Sequence, residues 1–158
     1  MKNSKFNLSA FILAIVLALA GCTQLDNAAV YEIEIDSAGD MEIESVDEYS
    51  AYTDPHDVAE YIHIYNKLPI NFITKSEAMS LGWKNEEGNL WDVTEKMSIG
   101  GDRFGNREGM LPKEKGRVYY ECDVNYEGGY RGAERIIFSN DGLIFYTDDH
   151  YKSFTQLY

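Results

Sequence analysis

The sequence predicts an α+β fold, and three observations carry that prediction. Apolar residues recur at helical spacing between residues 53 and 95, whereas runs of strand length follow from about residue 118 to the end. Helices first and strands afterwards is the order of a fold whose N-terminal helices pack on a C-terminal antiparallel sheet. Two of the later runs, Arg135–Phe138 and Leu143–Tyr146, are joined by Ser139-Asn140-Asp141-Gly142, and Asp-Gly between apolar runs is a hairpin signal.

The first helix opens at Thr53-Asp54-Pro55, an N-cap residue followed by proline in the first turn. Val58, Ile62 and Tyr65 then share one face, with Ala59 and Tyr61 beside them. Leu68-Pro69 ends it, because a residue before proline avoids helical angles. A second helix fits Lys75 to Leu81, capped by Thr74 and stopped by Gly82. A third short one fits Asn89 to Glu95. The run Val118–Val124 reads as a strand, with Val118, Tyr120, Cys122 and Val124 on one face and Glu121 and Asp123 on the other. Thr155 to Leu157 supplies a last strand. No internal repeat is present.

The segments before this domain are of another kind. Lys2 and Lys5 precede an unbroken apolar run, Phe11 to Ala20, and Leu19-Ala20-Gly21-Cys22 follows. A positive start, a short apolar stretch and small residues before a cut are the marks of an export signal. The run is short for a membrane span. Its end resembles the lipobox of bacterial lipoproteins, which implies a signal peptide over 1–21, lipidation of Cys22 and a membrane anchor. An uncleaved anchor helix is the alternative. Residues 22–52 then read as an acidic tether, with the globular domain over 53–158. Within the tether, Val30–Asp36 alternates apolar and acidic residues, which suits an added edge strand or a transient one.

Charge and cysteine content narrow the chemistry. The net charge is −13, but nine acids and no Lys or Arg lie in residues 23–52; residues 53–158 carry 18 acids and 12 bases, a net of −6. Long-range attraction of a polyanion is therefore absent, and nucleic-acid binding would have to rest on a local cationic cleft. The two cysteines, Cys22 and Cys122, could form a disulfide on paper; if Cys22 carries lipid, Cys122 is a small buried apolar residue. No Cys/His spacing suits a metal, so no cofactor is expected.

Glu121 and Asp123 share a strand face, Arg131 and Arg135 follow, Lys75 opens the second helix, and His150 lies in Asp148-Asp149-His150-Tyr151. A Glu, a His and three cations can form an anion site with acid–base capacity. Taken alone, these residues favour a plainer account, surface ion pairs and a solvated histidine, because charged strand faces are common.

Four stretches in order change that balance: Tyr65-Asn66-Lys67-Leu68-Pro69 with Ile73-Thr74-Lys75-Ser76-Glu77-Ala78 and Leu81-Gly82-Trp83; Ser98 to Gly109, including Phe104-Gly105-Asn106-Arg107-Glu108; Glu121-Cys122-Asp123-Val124-Asn125-Tyr126 with Gly129-Tyr130-Arg131 and Arg135; and Asp149-His150-Tyr151. Together they resemble the barnase family of guanine-preferring microbial ribonucleases, from about Thr53 to the end and without gaps. The resemblance implies Glu121 as general base and His150 as general acid in RNA transesterification to a 2′,3′-cyclic phosphate, then hydrolysed. It implies Lys75, Arg131 and Arg135 around the scissile phosphate, Asp123 behind the two arginines, and Phe104, Asn106, Arg107, Glu108 and Tyr151 at the guanine. It also implies a single-stranded RNA substrate, a monomer, and a small inhibitor protein like barstar. A catalytically weak binding module of the same fold, on the cell envelope, is the alternative function.

The chain departs from the family's pattern at five places. Gly105 stands where the family has Ser, Tyr119 for Trp, Tyr120 for Arg, Gly142 for Trp and Asn66 for His. None is one of the implied acid–base or phosphate-binding residues.

Overall fold

A computed structural model of the chain describes residues 46–158 and, as backbone, two strands before them. The elements are β1 (Glu32–Ile35), β2 (Met41–Glu44), α1 (Pro55–Tyr65), β3 (Phe72–Ile73), α2 (Lys75–Ser80), α3 (Leu90–Val93), β4 (Ser98–Phe104), β5 (Tyr119–Asp123), β6 (Arg135–Ser139), β7 (Ile144–Thr147) and β8 (Thr155–Gln156). The α+β class predicted from the sequence is the class observed. Strands β3 to β8 form one six-stranded sheet in chain order, antiparallel throughout except for the β3–β4 pair.

The tether holds more backbone order than its composition suggested. Glu32–Ile35, within the alternating stretch, pairs antiparallel with Met41–Glu44 as a separate two-stranded hairpin and does not extend the main sheet. Residues 46–52 lie against α1. Tyr65 donates its hydroxyl to the Val46 carbonyl and Tyr61 to that of Glu48, both at 2.8 Å. Tyr52 and Asn71 exchange two hydrogen bonds, and Lys67 pairs with Glu48. The signal-peptide segment and Cys22 fall outside the described residues.

Helix α1 starts as its sequence dictates. The Asp54 carboxylate accepts from the amides of His56 and Asp57, and Pro55 fills the first turn. It stops three residues short of Pro69, at Asn66, which adopts a left-handed conformation with φ 52° and donates its amide to the Ile62 carbonyl. Val58, Ala59 and Ile62 bury themselves against Cys122, Val124, Ile136 and Ile144 on one face of the sheet. Cys122 is a free, fully buried thiol there, and burial pushes its pKa well up, so it packs as an apolar residue. Helix α2 carries a full capping box, with Thr74 and Glu77 satisfying each other's backbone amides.

The opposite face of the sheet is divided. One part is apolar: Leu111, Tyr119, Ile137 and Phe145, with Phe104, Tyr151 and Phe154 packed on them. The other part carries Glu121, Asp123 and Arg135, all buried. Alternation on β5 thus separates an apolar from a charged face, but the charged face is covered rather than solvated.

Strand β4 carries no periodic signature in the sequence. Its Ile-Gly-Gly-Asp run lacks alternation, and the register slips between Gly100 and Asp102 in a bulge. The glycines are there for contact. A Cβ at Gly100 would lie 2.7 Å from both Cys122 Cβ and Phe72 Cδ1, and Gly101 has φ +92°. The bulge sets Asp102 opposite Glu121, where its carboxylate accepts from the Lys75 amide at 2.9 Å.

Candidate active site

Glu121 stands at the centre of the charged face. Its Oε1 lies 2.6 Å from Lys75 Nζ and its Oε2 accepts from the Tyr151 hydroxyl at 2.8 Å. Lys75 is placed by the start of α2, whose first amide is tied to β4 through Asp102. Burial raises the pKa of the Glu121 carboxyl. Its hydrogen bonds from Lys75 and Tyr151, with the charges of Lys75 and Arg131, outweigh burial and hold it below its ordinary value of 4.5. Tyr151 moves the other way, pushed up to about 12 by burial first and then by the neighbouring Glu121 carboxylate. The phenol therefore remains a donor to the ionised Glu121 carboxylate up to about pH 12.

Two residues along the strand, Asp123 collects both arginines. Arg131 grips it with a two-pronged fork, Nε to Oδ2 and Nη2 to Oδ1, each at 2.6 Å. Arg135 Nε lies 2.8 Å from Oδ1, an ion pair in which the N–H is not aimed at the oxygen. A further Arg135 nitrogen donates to the Glu134 carbonyl. Asp123 and Arg135 are 2% and 3% exposed as residues, so the guanidinium groups are fixed before any ligand arrives.

His150 is exposed, on the loop after β7. Both it and Tyr151 take left-handed backbone angles, φ 58° and 70°, which is costly for two side-chain-bearing residues in a row. Asp149 offsets that strain. Its carboxylate accepts from the amides of Lys152 and Ser153 and from the hydroxyls of Thr147 and Ser153. The hydrogen bonds from Ser153, above all, lower its pKa to about 2. Thr147 Oγ1 also accepts the Tyr151 amide. The loop so held sets the His150 ring beside that of Tyr151, centroids 4.9 Å apart.

A cleft of about 660 Å³ runs from Glu121 to the loop after β4. Glu121, His150 and Tyr151 line one end; Phe104, Gly105, Asn106, Arg107, Glu108 and Met110 line the other, with Phe154 beside them. Phe104 stacks on Tyr151 at 5.4 Å. Asn106, with φ 40°, turns the loop and binds both backbone groups of Leu111 with its carboxamide. Its side chain therefore shapes the loop. Arg107 and Glu108 are exposed, and the Arg107 side chain passes within 3.6 Å of where a Cβ on Gly105 would stand.

Of the site residues expected from the sequence within residues 53–158, Phe104, Asn106, Arg107, Glu108, Glu121, His150 and Tyr151 line this cleft. Lys75 reaches it through Glu121, and Asp123, Arg131 and Arg135 form a cluster beside Glu121 that does not line it. Three contributors were missed. Asp102 ties α2 to β4, Thr147 braces the Tyr151 turn, and Phe154 packs on Phe104 at 6.2 Å. Asp102 sat inside a quoted motif, yet only the bulge shows what its carboxylate holds. Among the described residues, no group of three or more His, Cys, Asp or Glu side chains is placed to hold a metal ion.

The arrangement offers an ionised carboxylate, a solvent-accessible imidazole and preset guanidinium groups, which is equipment for moving protons at an anionic centre. The fold and site thus define a small α+β protein built for acid–base chemistry on an anion. The chain belongs to the ribonuclease family, whose model matches residues 55–158. It is 51% identical over 100 residues to a ribonuclease of Bacillus intermedius, a match covering 63% of this chain and 62% of that relative. The ribonuclease of Heyndrickxia coagulans is 50% identical over 100 residues, 63% of this chain and 92% of its own length. Guanyl-specific ribonuclease St of Saccharopolyspora erythraea is 46% identical over 55 residues, 34% of this chain and 54% of its own.

Proposed function

We propose that this chain is an endoribonuclease that cleaves single-stranded RNA after guanine. The observation that carries this reading is Glu121, held ionised by Lys75 and Tyr151 in a cleft that also contains His150. Glu121 takes the proton of the ribose 2′-hydroxyl. The 2′-oxygen attacks phosphorus in line, the P–O5′ bond breaks, and His150 gives its proton to the departing O5′. A 2′,3′-cyclic phosphate results, and its hydrolysis reverses the two roles. The nucleophile belongs to the substrate, so the protein need only orient it and move two protons. DNA lacks the 2′-hydroxyl and cannot follow this path.

Lys75, Arg131 and Arg135 meet the charge that builds on the phosphoryl oxygens. At the far end of the cleft, Glu108 accepts from guanine N1–H and the 2-amino group, and backbone amides near Asn106 and Arg107 donate to O6. Adenine presents the opposite pattern there. The name of the guanyl-specific relative, and the resemblance of the 104–108 sequence to the family's guanine loop, support this preference.

Further parts of the reading lie outside the described residues or the single chain. Leu19-Ala20-Gly21-Cys22 supports export and a lipid anchor at Cys22, which Cys22→Ala would release from the membrane fraction. The cationic floor offers an acidic, barstar-like inhibitor the contacts it offers phosphate, and the enzyme acts as a monomer.

Incubation with short RNA tests the central reading. Products ending in guanosine 2′,3′-cyclic phosphate are expected, with Glu121→Ala or His150→Ala at least about 100-fold slower. RNA bound without turnover would favour instead a binding module of the same fold. Full activity in His150→Ala would end the assignment.

A further inference from the structure

An apolar side chain stands at the far end of the cleft without a part in the proposed reaction. Met110 lines that end and is 49% exposed. Single exposed apolar residues are ordinary on a protein surface; Met110 differs in its place and its support. The residues on either side of it are tied back to Asn106. The Gly109 amide donates to the Asn106 carbonyl at 3.1 Å, with Gly109 at φ +70°. The Asn106 carboxamide holds both backbone groups of Leu111, which is 2% exposed. The backbone of Met110 is thus fixed between two anchored neighbours, while its thioether arm keeps its rotational freedom.

The other apolar groups of the cleft belong to the packing of the sheet. Phe104 stacks on Tyr151 at 5.4 Å and meets Phe154 edge-on at 6.2 Å, and all three pack against Leu111, Tyr119, Ile137 and Phe145. They form a fixed aromatic surface. The polar groups beside them, Glu108 and the amides near Asn106 and Arg107, suit the edge of a base. A planar base also has two faces. One can lie on the fixed aromatic surface; the other stays in water unless a side chain covers it from the exposed side. Among the described residues, Met110 is the one large apolar side chain of the cleft lining that stands outside the aromatic cluster.

Resting on the reading of this cleft as a base-binding site, we propose that Met110 covers the outer face of the bound base and so selects bicyclic bases over monocyclic ones. A thioether is flexible and polarisable, and it makes favourable contacts with aromatic rings. Such a contact is non-directional and does not read the edge of the base. It grows with the apolar area covered, and a purine covers more of the side chain than a pyrimidine. Glu108 then tells guanine from adenine, and Met110 tells two rings from one. The contact is the same in the bound substrate and in the transition state, so it acts on KM and leaves kcat unchanged.

The test compares the full chain with Met110→Ala and Met110→Leu. It reads the cleavage of GpC, ApC and UpC, and the binding of guanosine and uridine 3′-phosphates by calorimetry. In Met110→Ala, kcat/KM for GpC and ApC should fall together by about 5- to 10-fold, the scale of one partly buried apolar contact. The loss should lie in KM, with kcat within about twofold of the parent. For UpC, kcat/KM should fall by less than about twofold, because less area is covered. Met110→Leu keeps the apolar bulk and should recover most of the loss. Because Met110 is half exposed, the melting temperature should not move. The inference is overturned if GpC is cleaved by Met110→Ala with an unchanged KM, if UpC loses as much as GpC, or if GpC suffers and ApC does not. A lowered melting temperature with equal losses on all three substrates overturns it as well, because the loop would then have lost its shape. A parent chain that cleaves none of the three would end the ribonuclease reading instead. The inference about Met110 then holds if Met110→Ala weakens the guanosine 3′-phosphate more than the uridine one, and fails if it does not.

Discussion

The two ends of the cleft are built to different standards. At the charged end, Glu121 and, behind it, Asp123 and Arg135 are buried, and each is locked to named partners. At the far end, Arg107 and Glu108 are exposed, and only Asn106 and Phe104 are anchored. The floor carries charges whose positions cannot be left to the ligand, since a donor that must move to meet a developing charge loses much of its value. On the proposed reading, the loop carries the recognition groups, which keep their hydration until a base replaces it. On that same reading, catalysis is preset and recognition is completed by the ligand.

The sharpest way to break that contrast is to remove Asp123. Asp123→Ala leaves Arg131 and Arg135 without their common carboxylate, Arg135 being almost fully buried. Breaking a buried pair by deleting one partner costs about 3–5 kcal/mol. Urea unfolding should show a loss of this size, together with reduced cleavage. A loss under about 1 kcal/mol would mean that water reaches the pair and that the floor is not preset.

Glu121 supplies the second test, through pH. Its pKa is depressed in the folded protein, so its contribution to stability is present above the unfolded value and is lost as pH falls through the folded one. The acidic limb of kcat/KM should follow the same group. Tyr151→Phe removes one hydrogen bond to the carboxylate, and Lys75→Met removes the other together with a charge. Both should move the acidic limb to higher pH, Lys75→Met further. An unmoved limb in both variants would detach Glu121 from the profile.

These tests bear on residues the sequence located, yet the reason they work was only partly legible there. The helix starts at Asp54 and Thr74 were readable because capping is local chemistry, and the hairpin at Asp141-Gly142 because its turn demands a positive φ. Strand β4 was not, because its two glycines serve contacts with Cys122 and Phe72 rather than a periodic pattern. The polar face of β5 could be assigned from alternation. Its burial could not, since Asp123 meets Arg131 eight residues away and Glu121 meets Lys75 across 46. Polarity in a strand signals exposure only when no partner arrives from elsewhere. The His150–Tyr151 turn shows the same limit: its backbone angles depend on an Asp149 network that sequence spacing does not announce.

At the recognition end, Glu108→Gln tests the other half of the comparison. The carboxylate is replaced by an amide that can donate where guanine also donates. Discrimination between guanine and adenine dinucleotides should fall by about 10-fold or more, the equivalent of one mispaired polar group. Because Glu108 is exposed, the unfolding midpoint should stay within experimental scatter of the parent. A destabilised Glu108→Gln protein would mean that the loop is part of the fixed structure after all.

The smallest effect concerns what lies ahead of the domain. Residues 23–45 carry seven acids, and residues 46–52 carry Asp47 and Glu48 and lie against α1. Two truncations separate charge from packing. A chain beginning at 46 keeps the α1 contacts and loses the seven acids. Its cleavage of long RNA should improve at low salt, change little on a dinucleotide, and converge with the full chain near 0.1 M salt, where charges more than about 10 Å apart are largely screened. A chain beginning at 53 loses in addition the carbonyls that Tyr61 and Tyr65 address and the Tyr52 partner of Asn71, which is 8% exposed. An unsatisfied buried amide costs about 1–3 kcal/mol, and for a domain of this size each 1 kcal/mol lowers Tm by about 4–8 °C. The second truncation should therefore melt several degrees below the first. Equal melting temperatures would make residues 46–52 incidental to the domain, and unchanged long-RNA activity in the first truncation would reduce the acidic segment to a spacer.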